Sequence, residues 1–331
     1  MMNKRLKQGT TFLLALALAF PLLTLPGARA ANAIETDRKC SVSFSVSGEG
    51  NELTAADTDI KVNLYKVADV DVSGNYTATK DFTGLNVSSV SADDKDAAAS
   101  EWADRAKEAQ KMLKESVEPT ATVTLAKGIG SKDGLATGLY LVDTPEVVTT
   151  NYTYTFTPYL VSLPTNNYYS NGNDTWIYDL TDTNAIGLKP EEHARYGDLK
   201  INKTLANHNA TTGKKATFVF KIEITPLKGK TETRIESLDF EAAGDSSVTI
   251  TKIPAGAKVK VTEVYSGASY KLTSANDQTT KIIATDEKGA PVSVSFTNDI
   301  DDNMNGGYGI RNNFKLDENG QYQYTEPAEK N

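Results

Sequence analysis

The chain has 331 residues, 35 Lys and Arg against 43 Asp and Glu, a formal net charge of -8 and one cysteine, Cys40. This acidity argues against nucleic acid or an anionic membrane surface as a partner. A lone cysteine excludes an internal disulfide framework, so stability has to come from core burial or from another kind of crosslink.

Residues 1–30 read as a secretory signal peptide. Lys4, Arg5 and Lys7 precede the apolar run Phe12 to Phe20, and Ala28-Arg29-Ala30 supplies small residues for cleavage. A second possible cut follows Ala31-Asn32-Ala33. The signal carries four positive charges and no acids, so its removal takes the net charge to -8 - 4 = -12. No other stretch is long and apolar enough to span a bilayer. The expected product is therefore a secreted, extracellular or cell-surface protein of roughly 300 residues, enough for two domains.

Residues 31–190 form the first expected domain. Ser41-Val42-Ser43-Phe44-Ser45-Val46-Ser47 and Ile60-Lys61-Val62-Asn63-Leu64 alternate apolar and polar residues, as half-buried strands do. Further strands are expected near 121–125, 138–142, 154–163 and 175–180. Near 94–117 the pattern changes: Trp102, Ala106, Ala109, Leu113 and Val117 recur at helical spacing, and Pro119 closes the segment. The first domain is thus expected to be β with a helical insertion. Lys189 to Gly197 is polar and charged and reads as a linker.

Residues 191–306 form the second expected domain, with strands at 199–205, 216–224, 247–253, 257–265 and 291–298. This density of short alternating strands gives the expected fold class: mainly β, two tandem immunoglobulin-like β-sandwich domains. Residues 307–331 form a tail in which 307–314 is expected to pair with 321–324 across Glu318-Asn319-Gly320, because Asn-Gly is a favoured hairpin turn.

Three strands of the second domain carry one polar residue where alternation places a core side chain. Leu199, Ile201, Lys203 and Leu205 share a face; so do Ala257, Val259, Val261 and Glu263, and so do Val292, Val294, Phe296 and Asn298. An unpaired buried ammonium or carboxylate is very costly, so the three groups are expected to meet. Burial lowers the pKa of a lysine and raises that of a glutamate. A neutral Lys203 amine can then attack the Asn298 side-chain carbonyl. Glu263 acts as the proton shuttle, polarising that carbonyl and helping ammonia leave. The product is a Lys203–Asn298 isopeptide bond. Asn312, on a face with Tyr308, Ile310 and Phe314, is a competing acceptor.

These residues resemble the collagen-adhesin B-type domain of Gram-positive surface proteins and pilins. Lys203 lies in Ile201-Asn202-Lys203-Thr204 on the first strand, Glu263 ends Val259-Lys260-Val261-Thr262-Glu263, and Asn298 ends Phe296-Thr297-Asn298. The first domain is similar to the N-terminal domain of sortase-assembled pilins through Leu64 to Asp69, Gly138 to Val142, and Trp176 to Leu180 leading to Leu188-Lys189-Pro190. The resemblance implies an extracellular structural subunit, with other pilin or surface-protein subunits and a sortase as partners. It makes Lys189 the candidate for linkage to the next subunit, although the family order there is Tyr-Pro-Lys. The family's Leu-Pro-x-Thr-Gly sorting signal is not found near the last residue, Asn331; Leu163-Pro164-Thr165-Asn166 is a partial echo.

Other signals are weaker. The first domain is expected to lack its own crosslink: its opening strand carries no lysine, and although Lys66 shares a face with Ile60, Val62 and Leu64, the acid near the place of the family glutamate is Asp143, shorter by one methylene. Asp301-Asp302-Asn303-Met304-Asn305-Gly306 matches the front of a calcium loop, but position twelve is Asn312 where a bidentate glutamate is needed; it reads as a polar turn, and no metal or cofactor is expected. His193 and His208 lie in polar segments, and no hydrolase, P-loop or zinc-protease motif occurs, so no enzyme is expected. The rival reading is an adhesin for a host glycan or matrix protein. Tyr152, Tyr154, Tyr159, Tyr168 and Tyr169 would form its contact surface with Asn166, Asn167 and Asn171.

Overall fold

A computed structural model describes residues 23–24, 33–46, 52–55, 58–91, 95–166, 175–181, 185–209, 215–267, 269–285, 289–301, 313–316 and 322–325. The protein is mainly β and separates into two compact units, Met1–Ala194 and Arg195–Asn331. Apart from Leu23–Thr24, residues 1–30, the expected signal segment, lie outside the described residues. Among the described residues no helix is long and apolar enough to cross a membrane.

The principal sheet of the first unit runs in the order Tyr159–Leu163, Gly138–Asp143, Asp59–Val70, Ala121–Ala126, Ile129–Leu135, Cys40–Ser45 and Asp179–Leu180. Alternation along its strands divides the apolar side chains between two cores. Val42, Phe44, Val62, Leu64, Tyr140 and Val161 belong to one, while Val67, Leu139, Leu141 and Leu160 belong to the other. The second core is closed by the helix Lys95–Met112 through Ala98, Trp102, Ala106 and Ala109. The helix stops at Met112 rather than reaching 117. Leu113 and Val117 still pack on that core, but as turns in which their N–H groups donate to the Gln110 and Lys114 carbonyls. A smaller sheet pairs Tyr152–Phe156 with Val147–Val148 and with Pro190–Ala194. The expected linker therefore begins as a strand, with Phe156 opposite Pro190.

The second unit consists of two four-stranded sheets around one core. The first has the order Gly244–Pro254, Tyr196–Leu205, Val292–Ile300, Tyr270–Leu272; the second has Glu232–Phe240, Ala216–Thr225, Lys258–Tyr265, Asp277–Lys281. Leu199, Ile201, Val294 and Phe296 of the first sheet share a buried cluster with Phe218, Phe220, Ile222, Val259 and Val261 of the second. Glu232–Phe240, Tyr270–Leu272 and Asp277–Lys281 are additions to the strands expected from sequence. Their residues are mostly half-buried or exposed, so they carry little apolar alternation. In the tail, Asn313–Leu316 pairs antiparallel with Tyr322–Thr325, Phe314 lying opposite Tyr324. Residues 307–312 of the expected hairpin, Asn312 among them, and residues 302–306 of the calcium-loop motif lie outside the described residues.

Candidate crosslinking site

Sheet register brings the three polar residues together. The first strand of the second unit, Tyr196–Leu205, lies beside and parallel to the last, Val292–Ile300, with Lys203 opposite Phe296 and Leu205 opposite Asn298. Lys203 and Asn298 are therefore diagonal neighbours on one face, and alternation turns both inward: each is 0% exposed. Glu263 comes from the other sheet. It lies opposite Phe220, and a bulge follows directly, since the next pairing is Val219 with Tyr265 and Val264 is left over. A bulge bends the strand and re-aims its side chains, and here the Glu263 side chain is directed inward, 1% exposed.

The contacts form a closed triangle. The Lys203 Nζ donates to Asn298 Oδ1. Asn298 Nδ2 donates to Glu263 Oε1 at 2.6 Å. Lys203 Nζ lies 3.2 Å from Glu263 Oε2, an ion-pair distance at which Oε2 has no hydrogen-bond geometry. Aromatic rings surround the triangle: the Phe218 ring sits 4.3 Å from Nζ, and Phe220 packs on Phe296 with ring centroids 5.1 Å apart. Burial lowers the Lys203 pKa from its ordinary 10.5, and the neighbouring Glu263 charge offsets part of that shift. Burial likewise raises Glu263 above its ordinary 4.5, opposed by Lys203 and by the Asn298 hydrogen bond. Both shifts favour a neutral amine beside a neutral acid, the protonation states that nucleophilic attack on an amide requires.

One part of the expected chemistry differs in geometry. Glu263 faces the amide nitrogen of Asn298, the leaving group, and not its carbonyl oxygen, which is held by Lys203. The carboxyl group is thus placed to move protons between the two nitrogens rather than to polarise the carbonyl.

The other singled-out residues are not joined to this triangle. Lys66 Nζ binds Asp69 at 2.5 Å, and Asp143 lies opposite Asn63 and accepts a hydrogen bond from Gln110 Nε2 at 2.6 Å, so these two side chains are engaged separately. Lys189 is exposed, next to Leu188, which is buried and whose N–H donates to Ser45 O. The Cys40 thiol is buried, which pushes its pKa up to about 11 and leaves it protonated. Tyr154 is buried, its hydroxyl donating to Glu192 Oε2, and Tyr152 and Tyr159 pack against the same core, so these three build structure rather than an exposed aromatic patch. Tyr168, Tyr169, Asn167 and Asn171 lie outside the described residues. Among the described residues no three His, Cys, Asp or Glu side chains gather as a metal site.

A family described as a domain of unknown function, DUF5979, matches residues 199–301, the stretch that holds all three members of the triangle. No curated protein matches the chain. Solved structures similar to it include Gram-positive pilins. The Bacillus anthracis TIE protein is 12% identical with a TM-score of 0.33, covering 86% of this chain, which spans 40% of that protein's length. The minor pilin GBS52 of Streptococcus agalactiae is 12% identical with a TM-score of 0.24, over 82% of this chain and 100% of that one. The major pilin SpaA of Corynebacterium diphtheriae is 10% identical with a TM-score of 0.21, over 78% of this chain and 100% of that one; its structure is described as pointing to a modular pilus assembly with stabilizing isopeptide bonds.

Proposed function

We propose that the chain is an extracellular structural subunit of the Gram-positive pilin type, whose second domain locks itself with a Lys203–Asn298 isopeptide bond formed under the control of Glu263. The single observation that supports this best is the sealed triangle: a lysine amine, a side-chain amide and a carboxyl group in mutual contact, enclosed by aromatic rings. Such a cluster is a costly way to stabilise a core, because desolvating ion pairs consumes most of what their attraction returns. As a reaction site it is economical.

Glu263 takes a proton from the Lys203 ammonium, and the freed lone pair attacks Asn298 Cγ. As the new C–N bond forms, the amine sheds a second proton, and Nδ2 gains one as its bond to Cγ breaks. The amide keeps one hydrogen and ammonia takes three. The fifth stays on Glu263 or leaves with ammonia as ammonium. Oε2 near Nζ and Oε1 on Nδ2 are the two ends of this transfer. No cofactor is required.

In the same reading the chain is organised as a signal peptide (1–30), two tandem immunoglobulin-like domains (31–190 with its helical insertion, and 191–306) and a tail (307–331). The exposed Lys189 is the attachment point for a neighbouring subunit, joined by a sortase. Intact mass tests the central claim: the native protein is expected to be lighter than its sequence by one ammonia, about 17 Da, because the amine displaces the amide nitrogen. Glu263→Gln, which keeps the shape but removes the proton acceptor, is expected to retain the full mass. Recovery of separate, unmodified Lys203 and Asn298 peptides from the native protein would end the reading. High-mass ladders in cell-wall extracts, absent for Lys189→Ala, test the linkage between subunits.

A further inference from the structure

The segment between Leu272 and Asp277 joins a strand of one sheet to a strand of the other. Its side chains take over ladder positions where the backbone pairing ends. Glu263 is the first residue past the last pair of its ladder with Asp277–Lys281, in which Thr262 lies opposite Asp277. Its N–H donates to the Asn276 side-chain Oδ1 at 3.1 Å. The same segment edges the Asn298 strand. Thr273 N donates to Thr297 O at 2.8 Å, and Thr297 N donates to Ser274 Oγ at 3.1 Å. Gln278 then imitates a strand with its side-chain amide: Nε2 donates to Ser295 O, and Oε1 accepts from Ser295 N at 3.1 Å.

We propose that residues 273–278 form a positioning strap for isopeptide formation, in which Asn276 holds the Glu263 backbone while Ser274 and Gln278 hold the strand of Asn298. The inference rests on the crosslinking reading and adds residues to it that touch none of the reacting atoms. Its physical basis is that Glu263 and Asn298 lie on opposite sheets. The reaction needs Oε1 held against Nδ2, and a side chain is only as well placed as its backbone. Glu263 is followed by a bulge on one edge and lies just past the last ladder pair on the other, so the Asn276 side chain adds a constraint where the regular pairing ends. The strap ties that constraint to the acceptor strand through one short stretch of chain.

The test is a time course of intact mass for the full chain made by cell-free synthesis at several fixed pH values. Native protein is expected to lose one ammonia, and Lys203→Ala to lose none. Asn276→Leu, similar in size but without an acceptor, is expected to lose ammonia about tenfold more slowly, as for one lost hydrogen bond at the reacting geometry. The midpoints of its rate–pH profile should stay where they are in native protein, because no titrating group has changed. Asn276→Asp, which keeps an acceptor oxygen at the same reach, should recover most of the rate. Gln278→Ala provides an independent slowing from the other end of the strap. In a Lys203→Ala background, Asn276→Leu should shift the urea midpoint only slightly. Native-like rates for both Asn276→Leu and Gln278→Ala would overturn the strap while leaving the crosslink intact. So would a loss of stability in the Lys203→Ala background large enough to account for the slowing. Native protein that never loses ammonia would remove the underlying reading instead.

Discussion

The two units both carry an inward-reading lysine on a strand, yet they treat it differently. In the second unit Lys203 stays in the core and meets an amide and an acid delivered by the adjacent strand and the facing sheet. In the first, Lys66 follows the face of Val62 and Leu64 only to the point where the ladder slips, between Lys66 and Ala68; its amine then turns outward to Asp69. An inward position on a strand is thus insufficient to assemble a buried amine–amide–acid cluster. A second strand must bring a partner to the same depth, and the route to water must be closed. The first unit closes its sheet with a helix and two apolar cores, whereas the second places polar groups at the centre of one.

The sharpest way to break this contrast is to remove Lys203. The proposed bond between Lys203 and Asn298 would span 95 residues, and loop closure on that scale removes unfolded-state entropy worth about 4–5 kcal/mol, by analogy with disulfides. Lys203→Ala is therefore expected to lower the melting temperature of the second unit on the order of 20 °C and to restore the ammonia mass. A calorimetric scan with two transitions would show the first unit unmoved.

The same variant sharpens the electrostatic side. Without Lys203, the buried Glu263 loses the charge that pulled its pKa down, while the desolvation that raises it above 4.5 remains. The folded state then binds more protons than the unfolded state from pH 4.5 upward. Stability is fully present below that pH and falls as pH rises, by up to about 1.4 kcal/mol per unit until the folded pKa is reached. Urea midpoints of Lys203→Ala should accordingly be lower at pH 8 than at pH 5. Adding Glu263→Gln should flatten the dependence, and a flat profile without it would mean that Glu263 reaches solvent once its partner is gone.

Much of this was legible in the sequence. Leu199-Ile201-Lys203, Val259-Val261-Glu263 and Val294-Phe296-Asn298 each announce an inward polar residue, because a period of two survives as long as the ladder is regular, and the structure buries all three. The helix centred on Trp102 and Ala106 was equally plain. Ladder slips were not legible, since a bulge shifts phase without requiring any particular residue; Lys66 reads like Lys203 up to the slip. The strap was not legible either. Asn276 and Gln278 are polar residues in a segment with no periodicity, and their partners are backbone groups 13 and 17 residues away, which no local pattern marks. Edge strands such as Asp277–Lys281 carry almost no apolar signal, because they bury little.

The first unit supplies two smaller tests of what holds its lysine outside the core. Gly138 has φ +152°, and a Cβ there would come within 2.4 Å of Lys66 Cε and 2.6 Å of Ala68 O. The lysine end can swing aside but the backbone oxygen cannot, so Gly138→Ala is expected to destabilise the unit by about 1–3 kcal/mol. Lys66→Ala acts on the same contact from the other side and should do far less. Its Nζ is paired with Asp69, whose side chain is 69% exposed, and an ion pair that water can screen contributes less than about 1 kcal/mol. The mass of the first unit should also change by no more than the substitution itself, because the Lys66 amine is held by Asp69 and Asp143, the acid nearest the shuttle's place in the family pattern, is engaged with Gln110. A first-unit peptide carrying Lys66 joined to another side chain would break the distinction between the two lysines. A small stability loss with no change in crosslinking would confine the covalent chemistry to the unit whose lysine is sealed from water.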